Sequence, residues 1–138
     1  MVGEVIQAVG SDEQKEAYLP KLTDGTYAAG GFCLTESSAG SDPSAMKTRA
    51  VKDGNHYVLN GAKLYITSAE YAGIFVVWAV TDPDAPKHKG ISVLLIPTDL
   101  DGVVCRPFAD MCGIDNLDFN EVFFTDVRVP AENLVGPL

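Results

Sequence analysis

Ile74-Phe75-Val76-Val77-Trp78-Ala79-Val80 is an unbroken apolar run, long enough and β-branched enough to be a central strand. Downstream, the polar stretch Asp82 to Gly90 reads as a loop, and Ile91 to Pro97 as the next strand. Val103 to Arg106 and Asn120 to Val129 follow, the latter with a strand-like pattern interrupted at Asp126. Upstream, Lys63 to Thr67 reads as the return strand of a hairpin turning at Asn60-Gly61, with His56 to Leu59 as its first arm. Asp53-Gly54-Asn55 turns the chain into that arm from Met46 to Val51, and Tyr27 to Thr35 precedes them as a mostly apolar, buried strand. Roughly eight short strands with turn signals predict a mainly β fold: an antiparallel barrel or sandwich of two packed sheets.

One helix stands ahead of the strands. Ser11 is placed to cap it, with Gln14 completing a capping box; Ala17, Tyr18 and Leu22 carry an apolar stripe, and Gly25 ends it. Pro20 is a candidate break or kink. At the other end, the tail from Arg128 to Leu138 has no obvious partner of its own.

The chain has 138 residues, 46% of them hydrophobic and 21% charged, which suits one globular domain with a real core. Its net charge of −9 disfavours nonspecific binding to nucleic acid or to anionic membranes. No apolar run approaches the roughly 20 residues of a membrane span, and no basic-then-apolar leader opens the chain. Cys33, Cys105 and Cys112 cannot all pair, and none lies in a CxxC, so free thiols and a reducing cytoplasm are expected. His56 and His88 stand far apart without Cys or carboxylate at ligand spacing, which argues against a metal.

The stretch with most chemistry is Phe32-Cys33-Leu34-Thr35-Glu36-Ser37-Ser38-Ala39-Gly40-Ser41-Asp42. Small residues allow close backbone approach to a ligand, and the hydroxyls of Thr35, Ser37, Ser38 and Ser41 add donors without bulk. By turn chemistry alone such a stretch is more often only a turn.

Leu34 to Asp42 resembles the L/V-T-E-P-G-A-G-S-D signature of the acyl-CoA dehydrogenase family. Tyr57-Val58-Leu59-Asn60-Gly61-Ala62-Lys63-Leu64-Tyr65-Ile66-Thr67 resembles its Y-x-L-N-G-x-K-x-[FWY]-I-T-N segment, and Phe123 to Leu134 its F-x-D-V-x-V-P-x-E-N-L segment. Lys15 to Leu22 is similar to the helix leading into the first. The resemblance implies the β middle domain of a three-domain subunit: residues 1–25 a helical lead-in, 26–131 the middle domain, 132–138 a linker to a C-terminal helical domain. It also implies oxidation of an acyl-CoA thioester to the 2-enoyl-CoA with FAD, with electron-transfer flavoprotein as partner and a homotetramer or homodimer as the assembled parent.

By the same resemblance Phe32, Leu34 and Thr35 line the flavin ring, Ser41 meets the FAD pyrophosphate, Tyr65 covers one ring face, and Thr67 stands near N5. Lys87, His88 and Lys89 would lie near the CoA phosphates, with Ser41 and His88 as substrate contacts; read as chemistry alone, that cluster suits a solvated loop. Glu36 and Asp42 suit capping or turn roles, and the catalytic base is expected in the C-terminal bundle, so this chain alone is expected to be inactive. Ser37-Ser38 replaces the signature's Pro-Gly, and Ser68 its final Asn. Acyl-CoA oxidases and some flavin monooxygenases share the resemblance, and a stand-alone β binding module is the reading from a different class.

Overall fold

The computed structural model describes residues 1–109, 111–113 and 118–136, without the side chains of Lys87 and His88. Two helices, α1 (Val2–Val9) and α2 (Asp12–Thr23), precede eight strands: β1 (Ala29–Cys33), β2 (Arg49–Asp53), β3 (His56–Thr67), β4 (Ala72–Val80), β5 (Ile91–Pro97), β6 (Val103–Pro107), β7 (Phe119–Pro130) and β8 (Leu134–Val135). The capping box at Ser11 and Gln14 is formed, and α2 runs past the exposed Pro20 to Thr23 without a break.

The mainly β class holds, but the strands make one sheet rather than two, in the order β6-β7-β3-β2-β4-β5-β8, with β1 on β4. Nor is the pairing antiparallel throughout. β1 runs parallel to β4 from Ala29 to Cys33, and β2 meets the same strand in parallel at Arg49 and Val80. The β2–β3 hairpin lies between β1 and β4 in the chain, which leaves β4 free to return alongside β1 in the same direction. Among the described residues, no pairing joins β6 to β8 to close the sheet.

β4 explains why its sequence is apolar without alternation. Phe75, Val77 and Ala79 face one core with Leu59, Ile96, Phe124 and Val127, while Ile74 and Val76 face a second, with Val2, Ile6, Leu95 and Val135. Both faces are covered, so both are apolar. Phe75 meets Phe124 edge-on with centroids 6.4 Å apart, so β4 packs against β7 across the first core.

Three expectations are corrected. Asn60-Gly61 is not a hairpin turn; β3 continues through it, and its register against β7 shifts between Leu59 and Gly61. The glycine is needed because a Cβ there, at φ +152°, would crowd the Thr48 backbone and hydroxyl. An Asn-Gly pair signals tolerance of unusual backbone, and here a bulge uses that tolerance. A second helix, α1, buries Val2 and Ile6. The tail does have a partner: Leu134 and Val135 pair with Leu94 and Val93, and the Asn133 side-chain amide donates to the Leu95 carbonyl at 2.8 Å.

Candidate functional site

β3 breaks its alternation near its end. Register shifts again between Lys63 and Ile66, so Lys63 faces Val122 and Ile66 faces Asn120. Two residues oppose one, and Tyr65 takes φ +58°. An aromatic residue in the left-handed region carries a strain of about 1–2 kcal/mol. The bulge buries both Lys63 and Ile66 and turns Tyr65 and Thr67 outward. Tyr65 is 55% exposed despite its size, and Ser68 follows at φ +54°.

That exposed ring borders a cleft of about 460 Å³, lined by Phe32, Thr35, Tyr65 and Thr67 together with Gly30 and Ser68. Phe32 is held from behind by Trp78, ring centroids 4.3 Å apart. Tyr65 stacks on Phe108 at 5.6 Å. The Thr35 and Thr67 hydroxyls make no hydrogen bond among the described residues, and neither does the Thr35 N–H. The lining therefore offers two aromatic rings and the hydroxyls of Thr35, Thr67 and Ser68 to whatever enters the cleft, and Thr35 brings an N–H without an acceptor among the described residues. Such a set suits a planar, carbonyl-bearing heteroaromatic ring. Its residues fit a flavin.

Four of the predicted residues meet here, and the others do not. Leu34 is half-buried outside the lining, and its carbonyl accepts from Lys63 Nζ at 3.1 Å. Ser41 is exposed beyond the Glu36–Ala39 bridge, beside Asp42, whose carboxylate accepts from Ser44 N and Oγ. The side chain of His88 lies outside the described residues; the short helical turn Lys87–Gly90 packs against the turn Pro43–Ala45. Lys47 and Arg49 border a second groove there, of about 490 Å³, with Ser44 and Asp82.

The largest feature missed in the sequence is a buried ion pair under the loop. Lys63 Nζ lies 2.9 Å from Glu36 Oε1, with side chains 0% and 5% exposed. Glu36 also accepts from Lys47 N at 2.7 Å and Thr48 N at 3.0 Å. Burial pushes the Glu36 carboxyl up, but hydrogen bonds from Thr48, Lys63 and Lys47 and the charge of Lys63 outweigh it, leaving it below its ordinary value. Burial holds Lys63 below the ordinary lysine value, with Glu36 opposing. The signal was available: Tyr57, Leu59 and Lys63 occupy the same alternating face of β3, so a lysine there implied a buried acceptor. Cys33 is fully buried, and burial raises its thiol far out of the reactive range. Among the described residues no cluster could hold a metal ion. No helix there is long and apolar enough to cross a membrane.

Residues 31–127 match the family model described as the middle domain of acyl-CoA dehydrogenases. The short/branched chain specific acyl-CoA dehydrogenase of Bos taurus is 42% identical over 136 residues, covering 99% of this chain and 31% of that protein. An acyl-CoA dehydrogenase of Geobacillus kaustophilus superposes with a TM-score of 0.95 at 40% identity, over 99% of this chain and 36% of its own. A glutaryl-CoA dehydrogenase of Mycobacterium smegmatis, solved in complex with FADH2, superposes at 0.88 and 36% identity, over 97% of this chain and 33% of its own. The chain thus spans about a third of the length of these relatives. With four of its predicted site residues gathered at one cleft, the chain belongs to the acyl-CoA dehydrogenase family, as a middle domain.

Proposed function

We propose that this chain forms one wall of the FAD and acyl-CoA site of an acyl-CoA dehydrogenase, with the cleft at Tyr65 receiving the flavin ring. The observation that carries the reading is the bulge in β3, which spends backbone strain to expose Tyr65 beside Thr67. Bound FAD supplies the two-electron acceptor for the hydride that leaves the acyl β-carbon. Tyr65 offers a stacking face, and Phe32 adds a second ring to the lining, packed on Trp78. The Thr67 hydroxyl, which borders the cleft, would donate toward N5 of a bound flavin, and Thr35 toward the polar edge of its ring. Leu34 acts through its backbone, Ser41 meets the pyrophosphate, and Ser41 and His88 border the CoA end. The base that takes the α-proton comes from outside this chain.

In this reading residues 1–25 end a helical domain, 26–131 are the middle domain, and 132–138 lead to a C-terminal helical domain. The parent is a homotetramer or homodimer that passes electrons to an electron-transfer flavoprotein. The unpaired Cys33, Cys105 and Cys112 suit a reducing compartment such as the cytoplasm.

The test is anaerobic addition of short and branched acyl-CoA thioesters to the full-length protein. A yellow preparation that bleaches supports the reading. A colourless one that ignores added FAD overturns it.

A further inference from the structure

Lys63 and Glu36 are costly residues to bury, and an apolar pair of similar volume would usually hold a fold together at least as well. What they add is geometry. Lys63 Nζ donates to both Glu36 Oε1, at 2.9 Å, and the Leu34 carbonyl, at 3.1 Å. Glu36, through Lys47 and Thr48, ties this cation to the chain entering β2. The Leu64 N–H donates to the Thr35 carbonyl at 2.8 Å, so the segment Leu34-Thr35 is fastened to β3 twice.

One group in that segment is left open. The Thr35 N–H belongs to the same peptide unit as the Leu34 carbonyl, and Thr35 lines the cleft without an acceptor for that N–H among the described residues. A cation on the carbonyl draws electron density through the planar, conjugated peptide and strengthens the N–H at its far end. We propose that Lys63 and Glu36 are positioning residues: they fix and polarise the Leu34–Thr35 peptide so that its N–H donates to the cofactor ring in the cleft. The inference rests on the flavin reading of that cleft. A strengthened donor favours the ring edge that gains negative charge on two-electron reduction, so it stabilises reduced over oxidised flavin. Neither residue touches the ring; both act through the peptide.

The test uses the full-length protein loaded with FAD, as wild type, Lys63→Met, and the double variant Lys63→Met with Glu36→Gln. The double variant leaves no lone buried charge, and the amide oxygen still accepts from Lys47 or Thr48. Midpoint potential, affinity for oxidised FAD and melting temperature are read on each. Both variants should lose about tenfold of the preference for reduced flavin, a fall of about 30 mV for a two-electron couple. The double variant should hold oxidised FAD within roughly threefold of wild type. If Lys63→Met does not fold, the double variant decides. A folded variant with a lower melting temperature and an unchanged potential overturns the proposal, since a purely structural pair would behave that way. A wild type that takes up no FAD overturns the flavin reading itself, and its colourless preparation tells that failure apart.

Discussion

Tyr65 stacks on Phe108, ring centroids 5.6 Å apart and planes 27° from parallel, while its backbone sits in the left-handed region at φ +58°. The ring is braced on one side and the backbone is strained to present it. Stability and ligand binding therefore pull in different directions at this residue. Tyr65→Gly should be more stable than Tyr65→Ala by about 1 kcal/mol, because glycine accepts this φ without strain. Both should weaken FAD binding by roughly two- to tenfold, the worth of one stacked face. Chemical denaturation and FAD titration of the full-length variants check the two effects separately.

Gly31 lies against the ring of Phe75, where a Cβ would come 2.5 Å from Cδ1 and 2.7 Å from Cε1. Phe75 is fully buried and edge-on to Phe124, so the ring has nowhere to retreat. Gly31→Ala should destabilise by about 1–3 kcal/mol through overpacking. Urea midpoints measure it, and an unshifted midpoint would show that the core yields.

Glu36 sets part of the acid response. Its folded carboxyl lies below the unfolded value of about 4.3. The unfolded chain therefore binds more protons in that window, and stability rises with pH. The Glu36 contribution is full above the unfolded value and disappears as pH falls through the folded one. Glu36→Gln should lower stability at pH 7 and flatten its acid decline. Urea midpoints between pH 3 and pH 7 check the slope, and an equally steep decline in the variant would assign it to other carboxylates.

Gln14 joins α2 to the tail at β8. It completes the cap at Ser11, and its Nε2 donates to the Glu132 carbonyl at 2.7 Å and the Leu134 carbonyl at 2.8 Å. Gln14→Ala should cost about 1–3 kcal/mol and loosen β8 before the rest of the sheet. Hydrogen exchange at Leu134 and Val135 should quicken while β4 amides keep their protection.

Legibility in the sequence followed local physics. β4 and β5 were clear because contiguous apolar runs of strand length have few other readings. α2 is legible because its cap is written in side chains, whereas α1 lacks a side-chain cap bond and leaves no such mark in the sequence. β8 has two residues, too few for any period. The course of β3 through Asn60-Gly61 depends on β7: Asn60 Nδ2 donates to Asp126 Oδ1, and its Oδ1 accepts from Asp126 N, at 3.0 and 2.9 Å. That tertiary bracket overrides the local turn signal. At the cleft, Phe32, Thr35, Tyr65 and Thr67 could be named only through the family resemblance of the segments that hold them. The left-handed Tyr65 could not, since tyrosine propensity points to regular strand.

The Tyr65 cleft is proposed to hold the flavin ring. A crystal structure of the full-length protein grown with FAD tests it most directly. The ring should lie against Tyr65, with Thr67 and the Thr35 N–H at its polar edge and Phe32 alongside. A ring bound elsewhere, or a cleft filled by the protein's own side chains while FAD occupies another site, would contradict it.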